Sequence, residues 1–116
     1  MVDAAGKTFS DEMARCIDEC TRTHQVCLTA SGHALRHGGA ENTAHVIRVL
    51  SDCVEICQTA ANFMLRGSPN HRQVCSVSAR ICREVAEECS VFDDEVMRQV
   101  VEVTTACAET CEAMAA

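Results

Sequence analysis

Residues 42–67, NTAHVIRVLSDCVEICQTAANFMLRG, decide how the whole chain is read. Val46, Leu50, Cys53, Cys57, Ala60 and Met64 recur at alternating steps of four and three, the period that holds side chains along one seam of an α-helix. The pattern starts near Asn42 and stops at Gly67, a residue type that ends helices. Ile47, Val49, Val54, Ile56, Phe63 and Leu65 fall off the seam, so the helix carries a second apolar stripe, and a second buried face predicts a homo-oligomer.

Working outward, Ser10 is placed to cap a helix whose first turn holds Asp11 and Glu12 and which runs to about His37, where Gly38 and Gly39 stop it. Ser68 followed by Pro69 reads as a cap with proline at the first helical position, opening a third helix to about Ser90. Asp93 or Asp94 opens a fourth that nearly reaches the C-terminus. Helices of roughly 20 to 27 residues span about 30 to 40 Å, and tight connections make neighbours antiparallel. The expected fold is all-α, one domain over residues 1–116, an up-down-up-down four-helix bundle. One proline, five glycines and three aromatics, all Phe, agree with it.

The net charge of −7 and the scatter of ten Lys and Arg argue against nucleic acid as a partner. The N-terminal MVDAAGKTFSDEM has no apolar core of an export signal, and no 18 apolar residues run together, so neither export nor a membrane is expected. The expected location is the cytoplasm.

Ten of 116 residues are cysteine. In a reducing compartment that many cysteines stay thiols unless a metal takes them. Cys16, Cys20 and Cys27 lie on the first helix, Cys53 and Cys57 on the second, Cys75, Cys82 and Cys89 on the third, Cys107 and Cys111 on the fourth. Every interval within a helix is four or seven, which keeps the thiols on one face, and on the second helix that face is the hydrophobic seam. The thiols are therefore expected to line the core. Residues four apart on a helix have Cβ atoms about 5 to 6 Å apart, too far for a disulfide within any of the three CxxxC pairs. Such a pair suits one soft ion held between two sulfurs, and thiolate is the ligand that selects Cu(I).

Zinc on four sulfurs from two helices is the alternative, while iron-sulfur redox chemistry lacks its usual closely spaced loop cysteines, since no CxxC occurs. A thiol enzyme would need a cysteine beside a base, and Cys20 or Cys27 with His24 is the local candidate, without a nucleophile motif around it. Plain packing explains one buried cysteine but poorly explains ten, because Ala, Val or Leu fill a core without risk of oxidation. The protein reads as a binder of multiple Cu(I) ions and not as an enzyme.

Antiparallel folding gathers Cys16, Cys20, Cys57, Cys75, Cys107 and Cys111 in one half, with Cys27, Cys53 and Cys82 near mid-height and Cys89 toward the far end. Leu35, Val46, Val96 and Val100 are expected to plug that far end. At the cysteine-rich end Met13, Met64, His71 and Met114 offer soft, uncharged ligands for an entry mouth, the alternatives being core filling for Met and a surface position for His71. His24 falls on the thiol face and is a further candidate ligand. His33, His37 and His45 cluster by the first loop, where a surface role is favoured over a minor metal site.

CIDECTRTHQVC, CVEIC, the ladder Cys75, Cys82, Cys89, and CAETC, with a Gly-Ser-Pro turn between the second and third helices, resemble the bacterial copper storage proteins and the related cysteine-rich four-helix-bundle family. The resemblance covers nearly the whole chain. It implies a bundle interior filled with Cu(I) between thiolates, a homotetramer, and, without an export signal, the cytosolic branch. The chain departs from the fuller pattern in having fewer cysteines, with His24 where a denser repeat carries a thiol, which implies a smaller capacity, on the order of ten Cu(I) per chain.

Overall fold

The computed structural model describes residues 2–116. Four helices follow in order: α1 Asp11–His37, α2 Ala44–Leu65, α3 His71–Cys89 and α4 Glu95–Ala115, with a 3₁₀ turn Gly39–Glu41 between the first two. Among the described residues α1 packs on α2 and α4, and α3 packs on the same two, which places α1 and α3 on one diagonal of the bundle. The molecule measures 48 × 23 × 20 Å, the length set by its 27-residue first helix.

The helix ends follow their capping residues. Ser10 accepts a hydrogen bond from the Met13 amide, Thr43 from Val46 and Asp94 from Met97, so three of the four helices start on an oxygen that satisfies an otherwise orphan amide. Gly67, at φ 72°, closes α2: its amide reaches the Met64 carbonyl at 3.1 Å and the Ser68 amide reaches Phe63 at 3.0 Å, the paired bonds of a Schellman end.

Two of the expected starts shift. The second helix begins at Ala44, two residues later than Asn42, because Thr43 supplies the cap and residues 39–41 coil separately as the 3₁₀ turn. Ser68 and Pro69 stay outside α3, whose regular α-helix begins at His71. The Ser68 carbonyl is taken by the His71 amide at 3.2 Å and its hydroxyl by the Asn70 amide at 3.2 Å, so this connection winds tightly before the helix proper. Asp94, not Asp93, caps α4; Asp93 instead pairs with Arg98 at 2.9 Å.

The seam of α1 runs Cys16, Cys20, Thr23, Cys27, Ala30 and Ala34, all fully buried. Leu35 lies beside that seam, not on it, and is 60% exposed, so it contributes nothing to the far-end plug. The plug is built by Leu50, Val85, Met97 and Val100, fully buried, with Val46 nearly so and Val96 half-buried. On α2, Val49 and Val54 are already buried within the chain, while Ile47, Ile56, Phe63 and Leu65 remain partly exposed.

Candidate metal centre

All ten cysteines are free thiols with zero exposure, so the four inward seams deliver every sulfur to the interior. The hydrogen-bonded contacts among them fall into two groups. Cys16 and Cys20 of α1 face Cys107 and Cys111 of α4, with sulfurs 3.7 Å apart for Cys16–Cys111, 3.6 Å for Cys20–Cys111, 3.7 Å for Cys20–Cys107 and 3.9 Å for Cys107–Cys111. Cys53 and Cys57 of α2 face Cys82 of α3, with separations of 3.8 Å for Cys53–Cys57 and Cys53–Cys82 and 3.7 Å for Cys57–Cys82. A disulfide requires about 2.05 Å, so these are thiol contacts and not cross-links.

Ser78 joins the groups. Its hydroxyl lies 3.7 Å from the Cys57 sulfur and 3.6 Å from Cys111, in the register between Cys75 and Cys82 on the buried face of α3. Its spacing of three and four from those cysteines places it on their face of the helix, a signal legible in the sequence though it carries no sulfur. Cys75 continues the column outward, donating to the Met64 sulfur at 3.9 Å, and Met64 is fully buried. Met13 and Met114 pack, partly buried, against the same core. His71 is half-buried and its Nδ1 is engaged by the Ser68 carbonyl at 2.9 Å.

Toward the other end Cys27 acts on the ionisation of Cys53, and Cys89 stands apart, with burial first and the charges of Cys27 and Glu88 after it pushing its thiol up to about 11. His24 does not join the thiols: its Nδ1 meets the Val54 carbonyl at 2.9 Å, fastening α1 to α2 on the bundle's flank.

The thiol network has an internal polarity. Interaction with Cys107, Cys16 and Cys20 lowers the Cys111 thiol from its ordinary range, and interaction with Cys107 and Cys20 of the other group and with Cys53 lowers Cys57. The surrounding thiols move upward. Cys20 does so chiefly through Cys107, Cys53 through Cys27, Cys82 through Cys107, and Cys75 and Cys107 through Cys111. The ionisation of each thiol therefore depends on that of its neighbours, and the column titrates as a coupled set.

Three ligand atoms of Cys16, Cys20 and Cys111 lie within 4.8 Å of one another, as do those of Cys53, Cys57 and Cys82. With metal–sulfur bonds of about 2.3 Å, sulfurs around a three-coordinate ion are about 4.0 Å apart and across a linear two-coordinate ion about 4.6 Å. The observed 3.6–3.9 Å needs only a slight opening for three-coordination and under about 1 Å for two.

A helical bundle whose sealed interior is a column of thiols defines a multi-thiolate metal-binding protein. A sequence model described as that of the copper storage proteins matches residues 6–116, and the chain belongs to that family. Its backbone superposes on the Nmul_A1745 protein of Nitrosospira multiformis with a TM-score of 0.86 at 39% identity, covering 90% of this chain and 94% of that one. The Cu(I)-bound copper storage protein BsCsp3 of Bacillus subtilis gives 0.86 at 26% identity, covering 91% and 100%. The copper storage protein Ccsp of Streptomyces lividans, loaded with 10 copper equivalents, gives 0.83 at 26%, covering 90% and 84%.

Proposed function

We propose that the protein binds and stores multiple Cu(I) ions on its ten core cysteines, in the cytosol and without catalysing a reaction. The observation that carries this reading is the pair of buried sulfur clusters, with contacts of 3.6–3.9 Å, linked through Ser78. Soft thiolates select Cu(I), and full burial protects both ion and ligand from oxidation. Met64 extends the donor column past Cys75, with Met13, Met114 and the free Nε2 of His71 as the route inward at that end. The cytosolic assignment is supported by ten unpaired thiols and by likeness to a Streptomyces lividans protein described as cytosolic. A homotetramer would cover the partly exposed Ile47, Ile56, Phe63 and Leu65 of α2, and light scattering of the purified protein tests it.

The test of storage is an anaerobic Cu(I) titration of the reduced protein against a competing chelator, with copper and thiols counted on the same sample. Uptake of several ions per chain, lost when Cys16, Cys20, Cys53, Cys57, Cys107 and Cys111 become Ser, supports the reading; uptake of none or one overturns it. The four thiols Cys16, Cys20, Cys107 and Cys111 also present a Zn(II)-like four-sulfur set from two helices. Retention of Zn(II) against excess Cu(I) would favour that alternative.

A further inference from the structure

The end of the bundle remote from the thiol triangles carries a second set of metal-ligating groups, with no sulfur in it. His33 and His37 stand one turn apart near the end of α1, their ring centroids 4.5 Å apart. The chain then reverses through Gly38 into the 3₁₀ turn, and Glu41, four residues past His37, turns back toward His33. The His33 Nε2 lies 3.7 Å from a Glu41 carboxylate oxygen. Asp94, capping α4 from the connection that follows α3, completes the group: one ligand atom each from His33, Glu41 and Asp94 falls within 4.8 Å of the others. The end of α1 with the turn that follows it and, far away in sequence, the start of α4 therefore converge on one point.

Burial makes this arrangement costly as it stands. Glu41 is a carboxylate with a side chain only 12% exposed, on a short turn whose other residues are Gly and Ala. Its facing imidazole is beyond hydrogen-bond reach at 3.7 Å, and a second carboxylate, Asp94, shares the space. A carboxylate that keeps little solvent exposure and stands beside another anion loses part of its solvation and gains repulsion. A divalent cation removes both penalties at once.

We propose that His33, Glu41 and Asp94, with His37 as a second imidazole, form a site for a divalent first-row transition ion of the Zn(II) type, separate from the thiol column. Imidazole and carboxylate are borderline-to-hard donors that suit Zn(II) or Co(II) and discriminate against Cu(I). Donor atoms on a tetrahedral ion with bonds of about 2.1 Å lie about 3.4 Å apart, close to the existing His33–Glu41 gap. Asp94 closes the remainder by a shift within a connecting segment. The bound ion ties the end of α1, the first connection and the start of α4 together where no thiol chemistry reaches. The inference stands independently of copper storage.

Co(II) is the probe, because thiolate-bound Co(II) shows intense near-ultraviolet sulfur-to-metal absorption that nitrogen and oxygen ligands do not produce. The reduced full-length protein is titrated anaerobically, following this absorption together with the imidazole NMR signals. The expected result is one equivalent that broadens the His33 and His37 ring signals without adding sulfur-to-metal absorption. Glu41→Gln, which keeps the side chain's shape, and His33→Ala each weaken that equivalent at least tenfold. His45→Ala, which removes a surface pair with Glu88 at 3.1 Å, leaves it unchanged. Co(II) that appears only with sulfur absorption, or a Glu41→Gln protein that binds as tightly as the wild type, overturns the proposal.

Discussion

Replacing Ser78 with cysteine should raise the copper capacity by about one Cu(I) per chain. The Ser78 hydroxyl lies 3.7 Å from Cys57 and 3.6 Å from Cys111, so a sulfur built there sits within the same contact range as the natural thiol pairs. It would join two groups now bridged by a hydroxyl, a poor Cu(I) ligand, and raise the thiol count of the chain from ten to eleven. When each thiolate bridges two ions the ceiling is about one ion per sulfur, which sets the size of the gain. Ser and Cys are close in volume and the site is fully buried, so the fold should tolerate the change. The assay is anaerobic titration against a chelator, scored beside a thiol count of the denatured protein. Ser78→Ala is the control and should leave capacity unchanged. A Ser78→Cys protein that is folded, shows eleven reduced thiols and takes up no more copper than the wild type would refute the idea that Ser78 interrupts the ligand column.

Other expectations concern stability and protons. Leu50→Ala, in the thiol-free plug, should cost about 3 kcal/mol in denaturant unfolding of the metal-free protein, whereas Leu35→Ala should cost under about 0.5 kcal/mol because that side chain is 60% exposed. The Cys89 thiol, raised to about 11 in the folded state against 9.0 for a free thiol, binds its proton more tightly folded than unfolded. Its contribution is intact below pH 9 and fades as pH rises toward 11, so Cys89→Ala should flatten the alkaline loss of stability measured by urea unfolding. Copper uptake displaces thiol protons, so acidification should drive release of bound Cu(I), seen as chelator colour, and copper should raise the thermal midpoint.

The seams were readable because a step of four or seven residues fixes a helical face wherever the helix lies, and all ten cysteines arrive buried as that rule requires. Which thiols meet was not readable. CxxxC spacing suggests pairs within a helix, and Cys53–Cys57 and Cys107–Cys111 do meet at 3.8 and 3.9 Å, but the contacts of Cys16 and Cys20 with α4 and of Cys53 and Cys57 with Cys82 of α3 are set by the order of helices around the bundle. His24 shows the same limit: its register fits the thiol face, but a carbonyl at Val54 on the neighbouring helix captures its ring. Leu35 misled because hydrophobicity alone cannot distinguish the seam from the adjacent stripe, where Leu28 is likewise 54% exposed. Glu41 gave no periodic signal, since its burial follows from the 3₁₀ turn that folds it back under α1.

The sealed thiol column also bears on what filling does to the molecule as an electrical object. If every thiol is protonated in the empty column and every arriving Cu⁺ expels one H⁺, the exchange is one monovalent cation for another, and the buried volume keeps the same total charge from empty to full. The ions enter a low-dielectric space without the solvation penalty of net buried charge, and the outer surface, at a formal −7 for the chain, is untouched. Empty and full molecules should then migrate alike in an electric field, their contents invisible from outside.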